Sequence, residues 1–80
     1  MIRDKIKGLL KLRSKGNKDG AEALNMPYHS FANKINQREF NTSDLIRLAN
    51  LTETRLAFID ENDKPIVEFD MNDLEQTPKK

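Results

Sequence analysis

The sequence contains no cysteine and no tryptophan, and only one histidine among its 80 residues. Without cysteine there is no disulfide, no thiolate metal site and no thiol nucleophile. A single histidine excludes a multi-histidine zinc site. No apolar run is long enough to span a bilayer, and Lys5, Lys7 and Lys11 interrupt the apolar core that a signal peptide requires. We therefore expect a cytoplasmic protein that needs no metal or cofactor and does not associate with a membrane.

Signals of an enzyme are also lacking. The carboxylates are scattered along the chain, no nucleophile and base are paired, and no glycine-rich phosphate loop is present. Asp60, Glu61 and Asp63 do not have the spacing of a calcium-binding loop. A chain of this length forms one small domain with one modest core. The sequence predicts a binding protein and not an enzyme.

The formal net charge of +1 is divided unevenly along the chain. Residues 1–55 hold eleven Lys/Arg and six Asp/Glu, a net charge of +5, whereas residues 56–80 hold three and seven, a net charge of −4. Such an asymmetry favours a polyanionic partner for the basic part, with the acidic part facing away from it. The alternative is an ordinary solvated helix surface.

The spacing of apolar residues predicts four helices, at about 2–15, 18–24, 28–35 and 42–50. In the first helix, Leu12 lies off the main apolar stripe, and we expect it at a partly buried edge.

Residues that begin or end helices punctuate this pattern. Asn25 can adopt the left-handed conformation that ends the second helix, and Pro27 suits the start of the third. Asn41 can cap the fourth helix, with Asp44 three residues later near the positive end of its dipole. Between the third and fourth helices, Phe40 is the expected buried anchor of a polar connector.

After the helices, the apolar period changes to alternation, which predicts a β-hairpin with strands at 55–60 and 65–70 around a turn at 61–64. A turn centred on Asn62-Asp63 sets the register. The predicted cross-strand pairs are Asp60–Pro65, Ile59–Ile66, Phe58–Val67, Ala57–Glu68, Leu56–Phe69 and Arg55–Asp70.

This register gives the two faces of the hairpin different characters. One face is wholly apolar and is expected to pack on the helices; it consists of Leu56, Phe58, Val67 and Phe69. The other face carries the Ile59–Ile66 pair and an Arg55–Asp70 ion pair. Ala57, Ile59 and Ile66 on that face predict a homodimer formed through the hairpin, and the alternative is that the tail covers them. Residues 71–80 are expected to be a disordered tail, with a frayed turn at 73–76.

The stretch from Asn17 to Asn36 resembles the helix-turn-helix of the Cro/lambdoid-repressor family, also called the XRE type. Ala21 stands where that family has a small residue in its first motif helix, and Asn25 stands at the usual glycine of the turn. Met26 and Phe31 stand at the apolar positions that lock the two motif helices together. The resemblance extends over about residues 4–52.

The resemblance, together with the hairpin predicted from alternation, implies a mainly α (α+β) fold: a Cro/repressor-like helix-turn-helix domain of four to five helices with a C-terminal β-hairpin, at residues 1–70. It also implies a sequence-specific transcriptional regulator from a phage, mobile element or bacterial genome. Such a protein binds double-stranded DNA as a dimer through a recognition helix at about 28–35, and represses by steric exclusion. Gly20 departs from the pattern, because a larger apolar residue is usual there, and glycine weakens a helix by about 1 kcal/mol relative to alanine. Pro27 replaces the usual Ser/Thr cap, and the hairpin replaces a fifth helix.

Eight residues are candidates for DNA contacts, and three of them stand at positions that the resemblance assigns to base edges. The predicted base-edge contacts are Tyr28, His29 and Asn33; the predicted phosphate contacts are Asn17, Ser30, Lys18, Lys34 and Arg38. Asn33 is suited to a bidentate pair with adenine, and the three cations to neutralising phosphates. For each residue the alternative is an ordinary solvated surface, and Asn17 also suits a helix cap.

Two other functions fit the same sequence. The chain can be the antitoxin of a toxin–antitoxin pair, with the hairpin and tail binding a partner protein. It can also be a protein-interaction module that works through the acidic hairpin surface. Substituting Lys18, Lys34 and Arg38 distinguishes these hypotheses, because it should abolish DNA binding and leave a protein-interaction module intact.

Overall fold

The computed structural model describes residues 2–37 and 40–74, which form five helices and one two-stranded antiparallel sheet. The elements are α1 Ile2–Leu12, α2 Asn17–Ala23, α3 Tyr28–Gln37, α4 Thr42–Leu51, β1 Leu56–Ile59, β2 Pro65–Phe69 and α5 Met71–Leu74. This architecture confirms the mainly helical α+β class with a C-terminal hairpin. None of the helices in these described ranges is both long enough and apolar enough to cross a membrane.

The core lies where α1 to α4 meet, around the completely buried ring of Phe31. Leu10 of α1, Ile35 of α3 and Leu48 of α4 complete its centre. The ring of Phe40 lies 6.0 Å from that of Phe31, so the predicted anchor packs on the core, although it is only half-buried. α2 packs against both α3 and α4, and α1 packs against α3.

α1 ends earlier than predicted, at Leu12 instead of residue 15. Ser14 is left-handed, with φ of 60°, and the N–H of Lys15 donates to the carbonyl of Leu10 at 2.7 Å. Leu12 is 78% exposed. The prediction of a partly buried Leu12 was wrong, because two residues of helix rotate its side chain by about 200° from that of the buried Leu10.

Capping explains where α2 and α4 begin. Gly16 occupies the N-cap of α2, and the carboxylate of Asp19 accepts the Gly16 N–H at 2.9 Å. Asn17 is therefore the first helical residue, and its predicted role as a cap was wrong. At α4, the side chain of Asn41 accepts the N–H of Asp44 at 2.8 Å, and the Asp44 carboxylate accepts the N–H of Asn41 at 3.2 Å. This reciprocal pair confirms the predicted start of α4.

Residues in the left-handed backbone conformation follow the ends of three helices: Ser14 after α1, Asn25 after α2 and Glu53 after α4. Asn25 has φ of 60°, as predicted, and the N–H of Met26 donates to the carbonyl of Ala21 at 3.0 Å. Glu53 ends α4 in the same way, with φ of 59°. Each of these turns satisfies carbonyls of a last helical turn that have no partner inside the helix.

The hairpin register agrees with the prediction at the three cross-strand pairs farthest from the turn and differs next to the turn. Leu56 pairs with Phe69, Ala57 with Glu68 and Phe58 with Val67, but Ile59 pairs with Pro65, and a bulge on β2 leaves Ile66 without a Cα partner.

The turn explains the bulge. The carboxylate of Asp60 accepts the N–H groups of Asn62 and Lys64 at 2.8 and 3.0 Å, and the N–H of Asp60 donates to the carbonyl of Lys64 at 2.9 Å. These bonds close the turn onto Lys64 instead of Pro65, so the predicted Asp60–Pro65 and Ile59–Ile66 pairs were wrong.

Of the predicted apolar face, only the part farthest from the turn packs on the helices. Leu56 and Phe69 are half-buried, whereas Phe58 is 67% exposed and Val67 is also exposed. Phe58 instead contacts Phe69 on its own face, with ring centroids 5.9 Å apart. The far part of the hairpin therefore extends beyond the helices. Near the base of the hairpin, β1 contacts α4.

The predicted Arg55–Asp70 ion pair is also replaced. The Nη1 atom of Arg55 lies 3.2 Å from the carboxylate of Glu68. The Asp70 carboxylate accepts the N–H of Asn72 at 3.0 Å, and the Asp70 N–H donates to the Asp73 carboxylate at 2.8 Å. Asp70 is thus engaged at the start of α5.

Met71–Leu74 form α5, one helical turn that packs against α4. The prediction that disorder begins at residue 71 was wrong for these four residues, because Asp70 and Asp73 hold the turn. The rest of the predicted tail, 75–80, lies outside the described residues, as does the predicted contact residue Arg38.

Candidate nucleic-acid interface

A four-residue connection at 24–27 joins α2 to α3, and tight packing fixes the two helices against each other. Gly20 of α2 makes this packing close: an added Cβ would overlap the ring of Phe31, lying 2.8 and 2.9 Å from its two Cε atoms. Ala21 and Leu24 are buried beside it. Since Phe31 and Ile35 face the core, the opposite side of α3 faces outward.

The outward side of α3 is a continuous polar stripe. His29, Asn33, Asn36 and Gln37 are all exposed and fall at i, i+4, i+7 and i+8, which is one face of a helix. No hydrogen bond or ion pair within residues 2–37 and 40–74 engages these four side chains. We refer to them as the α3 polar face.

The other two predicted contact residues of this helix lie beside the face. Tyr28 is 58% exposed at the first helical position, and Ser30 is half-buried. Of the three predicted base-edge residues, His29 and Asn33 thus share the stripe and Tyr28 flanks it.

Sequence reasoning missed Asn36 and Gln37. It ended the helix at residue 35, whereas α3 continues to Gln37. Helical periodicity could have identified both residues as part of this face, because Asn36 and Gln37 stand seven and eight residues after His29.

No side chain among the residues that the structure describes caps the N-terminus of α3. Pro27 precedes the helix, and its carbonyl accepts the N–H groups of Ser30 and Phe31, both at 3.1 Å. Proline offers no side-chain acceptor to the N–H groups of Tyr28 and His29. These groups, at the positive end of the helix dipole, are available to solvent or to a phosphate oxygen.

The side chains predicted to contact phosphates differ in exposure and in whether they already have a partner within the protein. Lys18 is exposed in the first turn of α2, and Asn17 beside it is half-buried. Lys34 is engaged in an ion pair, with its Nζ atom 2.8 Å from the carboxylate of Asp44. Asp44 is buried and is itself bonded to Asn41, so Lys34 links α3 to the start of α4. Nothing in the sequence pattern indicated this pair.

The far end of the hairpin exposes apolar side chains on both of its faces. Ile59 and Ile66 are 60% and 65% exposed, and Phe58 and Val67 are exposed on the opposite face. We name these four residues the hairpin tip. Ala57, the third predicted dimerisation residue, is half-buried and adds less to this surface.

A cleft of about 340 Å³ lies between α4 and the base of the hairpin. Ile46, Thr54 and Phe69 line it, and the Arg55–Glu68 ion pair stands at the same place. In the part of the chain that the structure describes, no three histidine or carboxylate side chains are grouped so that they could hold a metal ion.

Comparison with known proteins adds no relative. No protein-family model matches the chain, and no curated protein or solved structure matches it. The resemblance to the Cro/repressor family therefore rests on the residues of the motif alone.

Proposed function

We propose that this chain is a sequence-specific transcriptional regulator that binds double-stranded DNA as a Cro/repressor-like helix-turn-helix domain, with α3 as its recognition helix. The observation that carries the proposal is the α3 polar face. Four exposed side chains capable of hydrogen bonding lie in one stripe on a helix whose other side is anchored by Phe31 and Ile35. Such a helix fits the major groove, where base edges present donors and acceptors.

The roles of the residues follow from their chemistry. Asn33 makes a bidentate pair with adenine, worth about 1–3 kcal/mol of discrimination. His29 donates to or accepts from a neighbouring base edge, and Tyr28 contacts a thymine methyl or a phosphate. Ser30, Asn17 and Lys18 contact phosphates, together with the open N-terminus of α3.

A single helix of this kind makes few contacts, so we propose a homodimer on a two-fold operator, with half-sites about 34 Å apart. Ile59 and Ile66 of the hairpin tip, with Ala57 beside them, supply the dimer contact. The bound dimer represses transcription sterically in the cytoplasm, under the control of its own concentration.

Selection of bound sequences from a random duplex library, at two salt concentrations, tests the proposal. The expected result is a palindromic consensus. Asn33→Ala should relax the preference at one base position of each half-site. The matched control is Asn50→Ala, an exposed asparagine on α4, which should leave the consensus unchanged. Recovery of no preferred sequence by the unmodified protein would refute sequence-specific regulation.

A second function, that of an antitoxin or protein-interaction module, is favoured by one observation. The hairpin tip exposes apolar side chains on both faces, and one two-fold contact covers only one of them. The surrounding segment is acidic, which suits a basic partner protein. The variant H29A/N33A, which truncates two exposed side chains of the α3 polar face, should abolish sequence-specific DNA binding in the first function and leave partner binding unchanged in the second.

A further inference from the structure

The net positive charge of residues 1–55 comes entirely from the first fifteen residues of the chain. Residues 1–15 hold six Lys/Arg and one Asp, a net charge of +5, whereas residues 16–55 hold five of each sign, a net charge of zero. The α2–α3 unit at 17–37 is also neutral, with two basic and two acidic residues. This unit therefore carries no net charge. Salt-dependent phosphate contacts nevertheless supply much of the affinity of DNA-binding proteins, so we expect most of the positive charge for these contacts elsewhere in the chain.

α1 presents part of this charge in one row along its surface. Arg3, Lys7 and Lys11 fall at i, i+4 and i+8, and all three are exposed. At 1.5 Å per residue, the row is about 12 Å long. None of the three makes an ion pair or side-chain hydrogen bond with another described residue. Their charge is therefore not neutralised within that part of the chain, and they are available to an external anion.

α1 is also held firmly beside the recognition helix. Leu10 is buried in the same core cluster as Phe31 and Ile35 of α3, and Ile6 packs against that cluster. The basic row and the α3 polar face thus belong to one packed unit, and a protein that docks through α3 brings α1 with it at a fixed position.

We propose that Arg3, Lys7 and Lys11 form a phosphate-binding row that supplies most of the salt-dependent part of the affinity for duplex DNA. This inference rests on the proposed function. It divides the work between two helices: α1 provides electrostatic attraction that is independent of base sequence, and α3 reads the bases.

Salt-dependent binding to the selected operator tests the row. The variant K7Q/K11Q removes two cations of the row, and the control K5Q/R13Q removes two exposed cations that lie off it. Both variants change the net charge equally, and glutamine is close to lysine and arginine in helix propensity. Circular dichroism melting should show that both remain folded.

For K7Q/K11Q we expect the slope of log K against log salt to become shallower by about 1.8, since each phosphate contact contributes about 0.9. Between about 50 and about 200 mM salt, the unmodified protein should lose roughly tenfold more affinity than this variant. Adding R3Q should reduce the slope by a further 0.9 or so. The preferred sequence should stay the same throughout.

The outcomes separate this inference from the proposed function. Equal slope changes in the two double variants, or no change in K7Q/K11Q, would overturn the row while operator binding by α3 still stands. If the unmodified protein binds no duplex DNA, both proposals fail. Binding of the unmodified protein to phosphatidylserine vesicles in place of DNA would likewise reject a DNA-directed row.

Discussion

At the scale of single residues, Gly20 shows how packing can reverse a local preference. Glycine is a poor helix former, and a larger apolar residue is usual at this motif position. In the structure, the missing side chain is what allows the ring of Phe31 to lie against the α2 backbone. A feature that weakens the isolated helix therefore fits the largest side chain of the core into place.

Gly20→Ala should consequently destabilise the protein by about 1–3 kcal/mol, because the Phe31 ring cannot move without disturbing the core. Gly8 provides the matched control: it lies within α1, where a methyl group added at its Cα would meet no heavy atom within 4 Å. Gly8→Ala should stabilise the protein by about 0.5–1 kcal/mol. Urea denaturation measures both changes. Stabilisation by both substitutions would show that Phe31 can repack freely.

Glu53 is a second residue whose backbone conformation conflicts with its type. It is left-handed at the end of α4, where glycine is favoured, and its carboxylate lies near the negative end of the helix dipole. Glu53→Gly should stabilise the fold by about 1 kcal/mol. Ser14→Gly, at a left-handed residue without charge, separates the contribution of the backbone from that of the dipole. Thermal denaturation of both variants measures the effect, and a lower melting temperature for Glu53→Gly would contradict it.

At the scale of elements, the Lys34–Asp44 pair joins α3 to α4. Lys34 is on the predicted interface, yet its ammonium is bonded to a buried carboxylate that also caps α4. Its main contribution is therefore expected to be structural. Since Lys34 holds the proposed recognition helix in place, we expect it to affect DNA binding through the position of α3 more than through phosphate charge.

Asp44→Ala should cost about 2 kcal/mol of stability, because it removes both the cap and the partner of Lys34. Lys34→Gln should cost about 1 kcal/mol or less, since the lysine side chain is 30% exposed. A double-mutant cycle should give a coupling energy of about 0.5–1 kcal/mol. Lys18→Gln, at an exposed cation, is the comparison for DNA binding. If Lys34→Gln lowered the salt slope as much as Lys18→Gln but left stability unchanged, its role would be phosphate contact instead.

At the scale of the whole molecule, the hairpin is the element that a monomer explains least. The hairpin tip stands clear of the helices with apolar side chains on both faces, and a hairpin alone is marginally stable in water. A second copy that covers one face would account for Ile59 and Ile66.

The variant I59T/I66T should therefore shift the protein to monomer in sedimentation velocity. Its unfolding free energy as a monomer should change by only about 0.5 kcal/mol, because both side chains are exposed. Leu12→Gln removes an exposed apolar side chain elsewhere and should leave the association unchanged. A protein that is monomeric before substitution, at high micromolar concentration, would exclude the dimer.

How much of the fold and of the candidate site the sequence predicted depended on the distance along the chain between the interacting residues. Helix periodicity, the left-handed Asn25 and the Asn41–Asp44 cap were all predicted, because each is set by residues within about one helical turn. The hairpin was predicted down to three of its cross-strand pairs. The α3 face was predicted in part, through His29 and Asn33, since helical spacing alone places them together.

Tertiary structure decided the rest, where partners are distant in sequence or compete for the same group. The close contact of Gly20 with Phe31, the capture of Lys34 by Asp44 and the use of Asp70 in α5 instead of with Arg55 are of this kind. The bulge at Ile66 followed from a competition between backbone closures that alternation cannot reveal. The amino-acid order thus specified which elements form and which side chains share a helix face, because those are local consequences of backbone geometry. Which charges remain free for a partner was settled only by packing, since that depends on which elements the fold brings into contact.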